Sequence, residues 1–153
     1  MSEAVSWVRD DYTITTNPTK VDLSVVHRYL SEESYWAKNI PLDTVSRAVQ
    51  RSTCFSVLHR ATQVGFARVV SDYATFAYLG DVFILHAHRG KGLSKWLVEC
   101  IKNHPDLQGL RRWILATADA HQLYGKYGFE PLSAPARWME IHDPLIYQRA
   151  TKK

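Results

Sequence analysis

The stretch that most constrains the fold is residues 79–101, LGDVFILHAHRGKGLSKWLVECI. Its first part is an apolar, strand-forming run, and its last part sets Leu93, Trp96, Leu97, Cys100 and Ile101 at helical spacing, a stripe that His104 extends. Arg89-Gly90-Lys91-Gly92 joins the two. Gly90 and Gly92 let the backbone turn tightly and approach a ligand. Consecutive N–H groups and the positive end of the helix can then hold a phosphate or pyrophosphate, with Arg89 and Lys91 adding charge. The same residues also suit an ordinary surface turn with solvated cations. The Walker pattern is absent, and GxGxxG is unmet because Lys95 stands where its last glycine belongs, so nucleotide triphosphate hydrolysis loses its main support.

The rest of the chain supplies a sheet for that helix to cover. Residues 12–16 (YTITT) read as a strand stopped by Asn17-Pro18, and Asp22 precedes a helical pattern of Leu23, Val26 and Leu30. Asp43 precedes a second, with Val45, Ala48 and Val49, and the two are linked by SYWAKNIP. Residues 53–59 and 63–72 read as a hairpin, 74–85 as a third strand, and 113–117 as a short strand after Pro105 closes the long helix. Asp119 can cap a short helix through Lys126 that Gly128 ends, and Phe129 and residues 136–142 would supply closing strands. Residues 1–10 and 148–153 read as tails. This order mixes hairpins with crossovers, so the class is α/β or α+β with a mixed sheet.

At 153 residues and 46% hydrophobic, with no repeat or linker, the chain suits a single domain over 1–153 with its core at about 12–142, and disorder and fibrous folds are excluded. The net charge of +4 can steer an anion without requiring nucleic acid. Cys54 and Cys100 are too few for a disulfide scaffold and fit a reducing compartment. With no basic flank leading into an apolar stretch at the N-terminus, and no apolar run near the ~18 residues a membrane span needs, a soluble, cytoplasmic protein is expected. The sequence leaves the oligomeric state open, a homodimer included.

Tyr124 lies in the run LYGKYGF, one helical turn before a glycine cap, where a phenol can donate a proton. Together the two segments carry a resemblance. Arg89-Gly90-Lys91-Gly92-Leu93-Ser94 resembles the acyl-CoA pyrophosphate loop of the GNAT superfamily of N-acetyltransferases, with Ser94 where that loop prefers Gly or Ala. LYGKYGF resembles its late motif, LYxxxGF, at the family's mutual spacing. The resemblance covers about residues 12–142 and implies a GNAT-like, mostly antiparallel sheet with acetyl-CoA as cosubstrate. Acetyl-CoA would lie in a splay between strands 74–85 and 113–117, opened by a bulge in the former. It further implies that backbone at Phe83, Ile84 and Leu85 pairs with the pantetheine arm, that residues 89–94 hold the pyrophosphate, and that Tyr124 protonates the leaving thiolate. Acetyl would pass directly to a primary amine of a small molecule or peptide. Asp119 sits where the family often has an Asn contacting the CoA arm, a place its capping role also explains.

Asp81 is the candidate base: read by simple alternation it shares a face with Leu79, Phe83 and Leu85, where a carboxylate must be paired or used. An ion pair with Arg68 accounts for it equally well. In the acceptor site that the resemblance implies, Tyr35 and Trp36, with Tyr73, Phe76 and Tyr78, would form an aromatic wall, although such residues also suit a core. His121 could relay a proton to Tyr124. His86 and His88 flank the loop with no third ligand at a convincing spacing, so no metal is expected. Cys54 and Cys100 lie in apolar patterns, which favours direct transfer over a covalent acetyl-enzyme. Two further readings are a non-catalytic acyl-CoA binding or sensing domain, against which Tyr124 argues, and nucleic-acid binding through Lys91, Lys95, Lys102, Arg111 and Arg112, against which the modest charge argues.

Overall fold

A computed structural model describes residues 3–150. Six strands form one sheet in chain order: β1 (Ser6–Arg9), β2 (Tyr12–Thr15), β3 (Thr53–His59), β4 (Thr62–Ser71), β5 (Phe76–Ile84) and β6 (Arg112–Ile114). Every neighbouring pair is antiparallel except β5 and β6, which run parallel because a helix carries the chain between them. The mixed sheet expected from the element order is therefore present. The β3–β4 connection is a tight turn in which Arg60 takes the left-handed conformation, φ 58°.

Helices cover both faces. On one, α3 (Leu93–Lys102) lays Leu93, Trp96, Leu97, Cys100 and Ile101 onto Ile14, Phe55, Val57, Ala67, Val69, Ala77 and Leu79, and the stripe's last member, His104, is also buried. On the other, α1 (Leu23–Arg28), a wide turn at Tyr29–Glu33 and α2 (Leu42–Gln50) enclose Val26, Tyr29, Leu30, Ile40 and Val45 against Cys54, Phe66 and Phe83. Asp22 starts α1 by accepting the N–H groups of Ser24 and Val25; the Ser24 hydroxyl foremost, and these N–H groups after it, hold its carboxyl below the usual carboxylate range. No helix among the described residues is long and apolar enough to cross a membrane.

Three expectations need correction. Ser6–Arg9 is an edge strand and Ile146–Ala150 a short helix, α5, so the tail reading fails for these residues, while residues 1, 2 and 151–153 lie outside the described residues. Residues 136–142 form no strand: a single tight turn, Pro135–Arg137, is followed by irregular backbone on which Met139 and Ile141 are fully exposed. Phe129 likewise belongs to no strand, packing edge-on against Trp113 and Tyr124. Asp119 does not cap the short helix α4 (His121–Gly125); the Thr117 hydroxyl accepts the N–H groups of Asp119 and Ala120 instead, at 3.4 and 3.1 Å.

Candidate active site

The site is set by one extra residue in β5. Phe66 pairs with Phe83 and Arg68 with Gly80, so two steps along β4 face three along β5. Asp81 absorbs the excess in the left-handed conformation, φ 55°, which Asp tolerates better than most residues. The bulge reverses the alternation. Ala77 and Leu79 point to the α3 face, but Phe83 packs with the α1–α2 face and Asp81 lines a cleft there. Asp81 and Leu79 therefore lie on opposite faces, correcting the single face expected from simple alternation.

In the cleft both carboxylate oxygens of Asp81 are engaged. Arg68 Nε donates to Oδ2 at 2.8 Å, and the Trp36 indole N–H donates to Oδ1 at 2.9 Å. Arg68 also donates from one terminal nitrogen to Ser52 Oγ at 3.1 Å, which orients the guanidinium. The ion pair anticipated as one reading of Asp81 is thus formed, with side chains only 20% and 14% exposed. The cleft holds about 200 Å³, with Ala48, Val49 and Phe66 in its lining, Trp36 and Tyr78 beside Asp81, and Tyr147 of α5 at its edge. Tyr73 and Phe76 do not line it; Tyr73 sits in the β4–β5 turn bonded to the Thr53 hydroxyl, so the expected aromatic wall is reduced to Trp36 and Tyr78.

Buried Ser34 presents Trp36 and its neighbour Tyr35: its hydroxyl donates to Leu30 O at 2.7 Å and accepts the Ala37 N–H at 3.0 Å. Tyr35 then reaches across the molecule, its hydroxyl accepting the backbone N–H of Ala118 at 2.8 Å. This bond closes over the gap between β5 and β6, which pair only from Phe76–Arg112 to Tyr78–Ile114 while β5 runs on to Ile84.

Beyond the open end of that gap lies the glycine loop. Gly90 and Gly92 have φ of 80° and 76°, with open space where a Cβ would stand, and Gly92 is the residue from which α3 starts. A second cleft, about 190 Å³, is lined by Ile84, Gly90, Gly92, Leu93, Ser94 and Leu123 among others. Backbone free of side chains at a helix N-terminus fits a pyrophosphate. Lys91 is exposed beside it. Arg89 turns back, with Nε donating to Ile84 O at 2.9 Å and a terminal nitrogen to the Tyr29 hydroxyl at 3.1 Å, which ties the loop to the end of β5. The Leu85 N–H is likewise committed, to Val64 O.

Tyr124 follows Leu123 and is 7% exposed. Burial first, then Tyr35 and Asp119, push its phenol up to about 12. Among the described residues its hydroxyl makes no hydrogen bond, and because no buried side-chain oxygen there is left unpaired, that oxygen is open to solvent while the ring is buried. Exposed Asp119 lies in the residues 117–120 turn near it. His121 and His86 are exposed, and His88 Nδ1 is 2.8 Å from the Tyr12 hydroxyl. Burial pushes the Cys54 and Cys100 thiols up to about 12, leaving them poor nucleophiles. No group of three metal-ligating side chains occurs among the described residues. Sequence reasoning missed the Tyr35–Ala118 bond and the Trp36–Asp81 bond, which join residues 83 and 45 positions apart and leave no local signal.

The acetyltransferase (GNAT) domain family matches residues 50–131. Acetyltransferase FG08082 of Gibberella zeae is 32% identical over 143 residues, covering 79% of this chain and 80% of that relative. The crystal structure of a GNAT-family acetyltransferase (xcc2953) from Xanthomonas campestris pv. campestris is 52% identical, covers 89% of this chain and 96% of its own, and superposes with a TM-score of 0.87. An acetyltransferase from Clostridium acetobutylicum, solved with acetyl-CoA, shares the fold at 15% identity, with 88% of this chain and 96% of its own covered and a TM-score of 0.64. The chain belongs to the GNAT family of acetyltransferases.

Proposed function

We propose that this acetyltransferase is an N-acetyltransferase in which acetyl-CoA occupies the β5–β6 gap, the amine acceptor occupies the Asp81 cleft, and Tyr124 is the general acid. The thioester supplies an activated acetyl group, and the residues around it bind, orient and move protons. The backbone N–H groups of residues 90–94, with the N-terminus of α3, take the pyrophosphate, and Lys91 adds its charge. Arg89 acts by holding that loop on β5, and Phe83, Ile84 and Leu85 flank the pantetheine arm. Asp81 orients the acceptor: each carboxylate oxygen keeps a lone pair beyond its bond to Arg68 or Trp36. Held by Arg68 and Trp36, it accepts a hydrogen bond from the amine, and the amine's proton leaves to water.

Tyr124 donates to the sulfur as negative charge develops there. The observation that carries this reading is a phenol with a buried ring and a solvent-accessible hydroxyl that makes no hydrogen bond among the described residues, which follows Leu123 of the loop cleft and lies beside Tyr35, whose neighbour Trp36 is bonded to Asp81. Calorimetric titration with acetyl-CoA, followed by thiol release from an amine library, tests it. Binding with turnover that Tyr124→Phe abolishes supports the assignment. Binding without turnover on any amine leaves an acyl-CoA sensor, and absence of binding overturns the reading.

A further inference from the structure

We infer that the acceptor is a small primary amine carried on one apolar group, a single ring or a short branched alkyl chain, with no acid and no second cation. The inference rests on the N-acetyltransferase reading and names the substrate class of that same site. Its basis is the size, lining and charge of the Asp81 cleft. An apolar cavity of about 150 Å³ takes up a benzene ring; the cleft, at about 200 Å³, has room for that ring and a short arm. Ala48 and Val49 lie in its lining with Val45 and the Phe66 ring packed behind them, and the Trp36 and Tyr78 rings stand beside Asp81, so an amine held at Asp81 can rest one ring or alkyl group on these side chains.

The charges in the cleft select in the same direction. Arg68 and Asp81 are the charged residues among those lining it, and they neutralise each other across 2.8 Å. A phosphate or carboxylate entering the cleft meets the Asp81 carboxylate, and the guanidinium already has two nitrogens committed, to Asp81 and Ser52. A polycation finds one carboxylate already compensated. What the cleft retains is hydrogen-bond acceptance at Asp81, which suits one amine, with the rest of the ligand lying on apolar surface.

The test is steady-state thiol release at saturating acetyl-CoA with phenethylamine and isopentylamine, against phenylalanine, glucosamine 6-phosphate, spermidine and Nα-acetyl-lysine amide. We expect kcat/KM for phenethylamine to exceed that for phenylalanine, which adds only a carboxylate, by roughly tenfold or more, because burying an uncompensated charge is costly. Ala48→Phe, which fills the cleft, should lower kcat/KM for phenethylamine about tenfold, the size of effect a filled apolar pocket produces, and leave acetyl-CoA affinity by calorimetry unchanged. In the wild type, 2-phenylethanol, the same body without the amine, should compete with phenethylamine and not with acetyl-CoA, a measurement that does not depend on the variant folding. Highest efficiency with an acidic, phosphorylated, polycationic or lysine acceptor, or no competition by 2-phenylethanol, overturns the inference. So does acetyl-CoA binding without turnover of either apolar amine, which leaves the donor site standing. Failure to bind acetyl-CoA instead removes the N-acetyltransferase reading beneath it.

Discussion

The Tyr35 hydroxyl accepts the backbone N–H of Ala118 at 2.8 Å, tying the loop after α1 to the turn before α4 across the mouth of the β5–β6 gap. Tyr35 is 59% exposed, so the bond contributes to geometry more than to stability. Charge repulsion from its phenol group also raises the Tyr124 phenol, second only to burial. Tyr35→Phe should therefore cost at most about 1 kcal/mol in denaturant unfolding. It should also free the 117–120 turn and lower the Tyr124 pKa. The expected signature is a several-fold rise in KM for both substrates with a smaller change in kcat, measured by thiol release; unchanged KM values would show that the strap does not shape the site.

The direction of the Tyr124 shift fixes the alkaline side of the pH profile. Burial favours the neutral phenol, so the proton to be donated is still in place well above the ordinary tyrosine range. On the acid side the rate should rise as the acceptor amine loses its proton, and no descending limb should appear below about pH 10, near the value of an unshifted phenol. Tyr124→Phe should lower kcat by about 10²-fold or more at every pH, the usual contribution of general acid catalysis, with acetyl-CoA affinity retained. A wild-type rate that falls between about pH 8 and about pH 9, well below the range of a phenol, would assign the acid to another group.

Gly92 and Gly109 allow backbone strain to be separated from ligand contact. Both have positive φ, 76° and 73°, and at neither would a Cβ meet anything within 4 Å. Alanine at either position should destabilise the fold by about 1–2 kcal/mol through the left-handed conformation alone. Only Gly92→Ala should weaken acetyl-CoA binding, because only there does the new methyl enter the cleft at the start of α3. Equal acetyl-CoA affinities in the two variants, measured by calorimetry, would move the pyrophosphate away from the glycine loop.

Much of this arrangement is legible in the sequence where the physical signal is local. The α3 stripe, the β3–β4 hairpin and the glycine loop are each written in a few consecutive residues whose period or turn chemistry has one structural meaning. The edge strand β1 is not, because an edge needs little burial: Val8 is 74% exposed and only Trp7 packs inward, so alternation has nothing to mark. Residues 136–142 mislead for the opposite reason. Trp138, Met139 and Ile141 look strand-forming, yet Trp138 stacks on the Arg112 guanidinium and Met139 and Ile141 stay fully exposed. The bulge at Asp81 escapes a reading by twos because one extra residue moves everything after it to the other face. Its trace in the sequence is an Asp after Gly80, a residue type that accepts φ of 55°.

That same conformation separates the two roles of Asp81. Asp81→Asn keeps a side chain that tolerates the left-handed region and still accepts the Trp36 indole, but it leaves Arg68 without its countercharge. Asp81→Ala removes the pair and adds backbone strain. Because the pair is only partly exposed, losing one partner should destabilise by about 1–3 kcal/mol in the Asn variant, and by a further 1–2 kcal/mol or so in the Ala variant. The double variant Arg68→Met with Asp81→Asn should recover much of the Asn loss, since no unpaired charge then remains near the cleft. Denaturant unfolding of the set checks the ordering. Amine turnover distinguishes the chemistry: an orienting Asp81 predicts raised acceptor KM in the Asn variant with an unshifted acid limb, whereas a limb that moves with this substitution would make Asp81 the base itself.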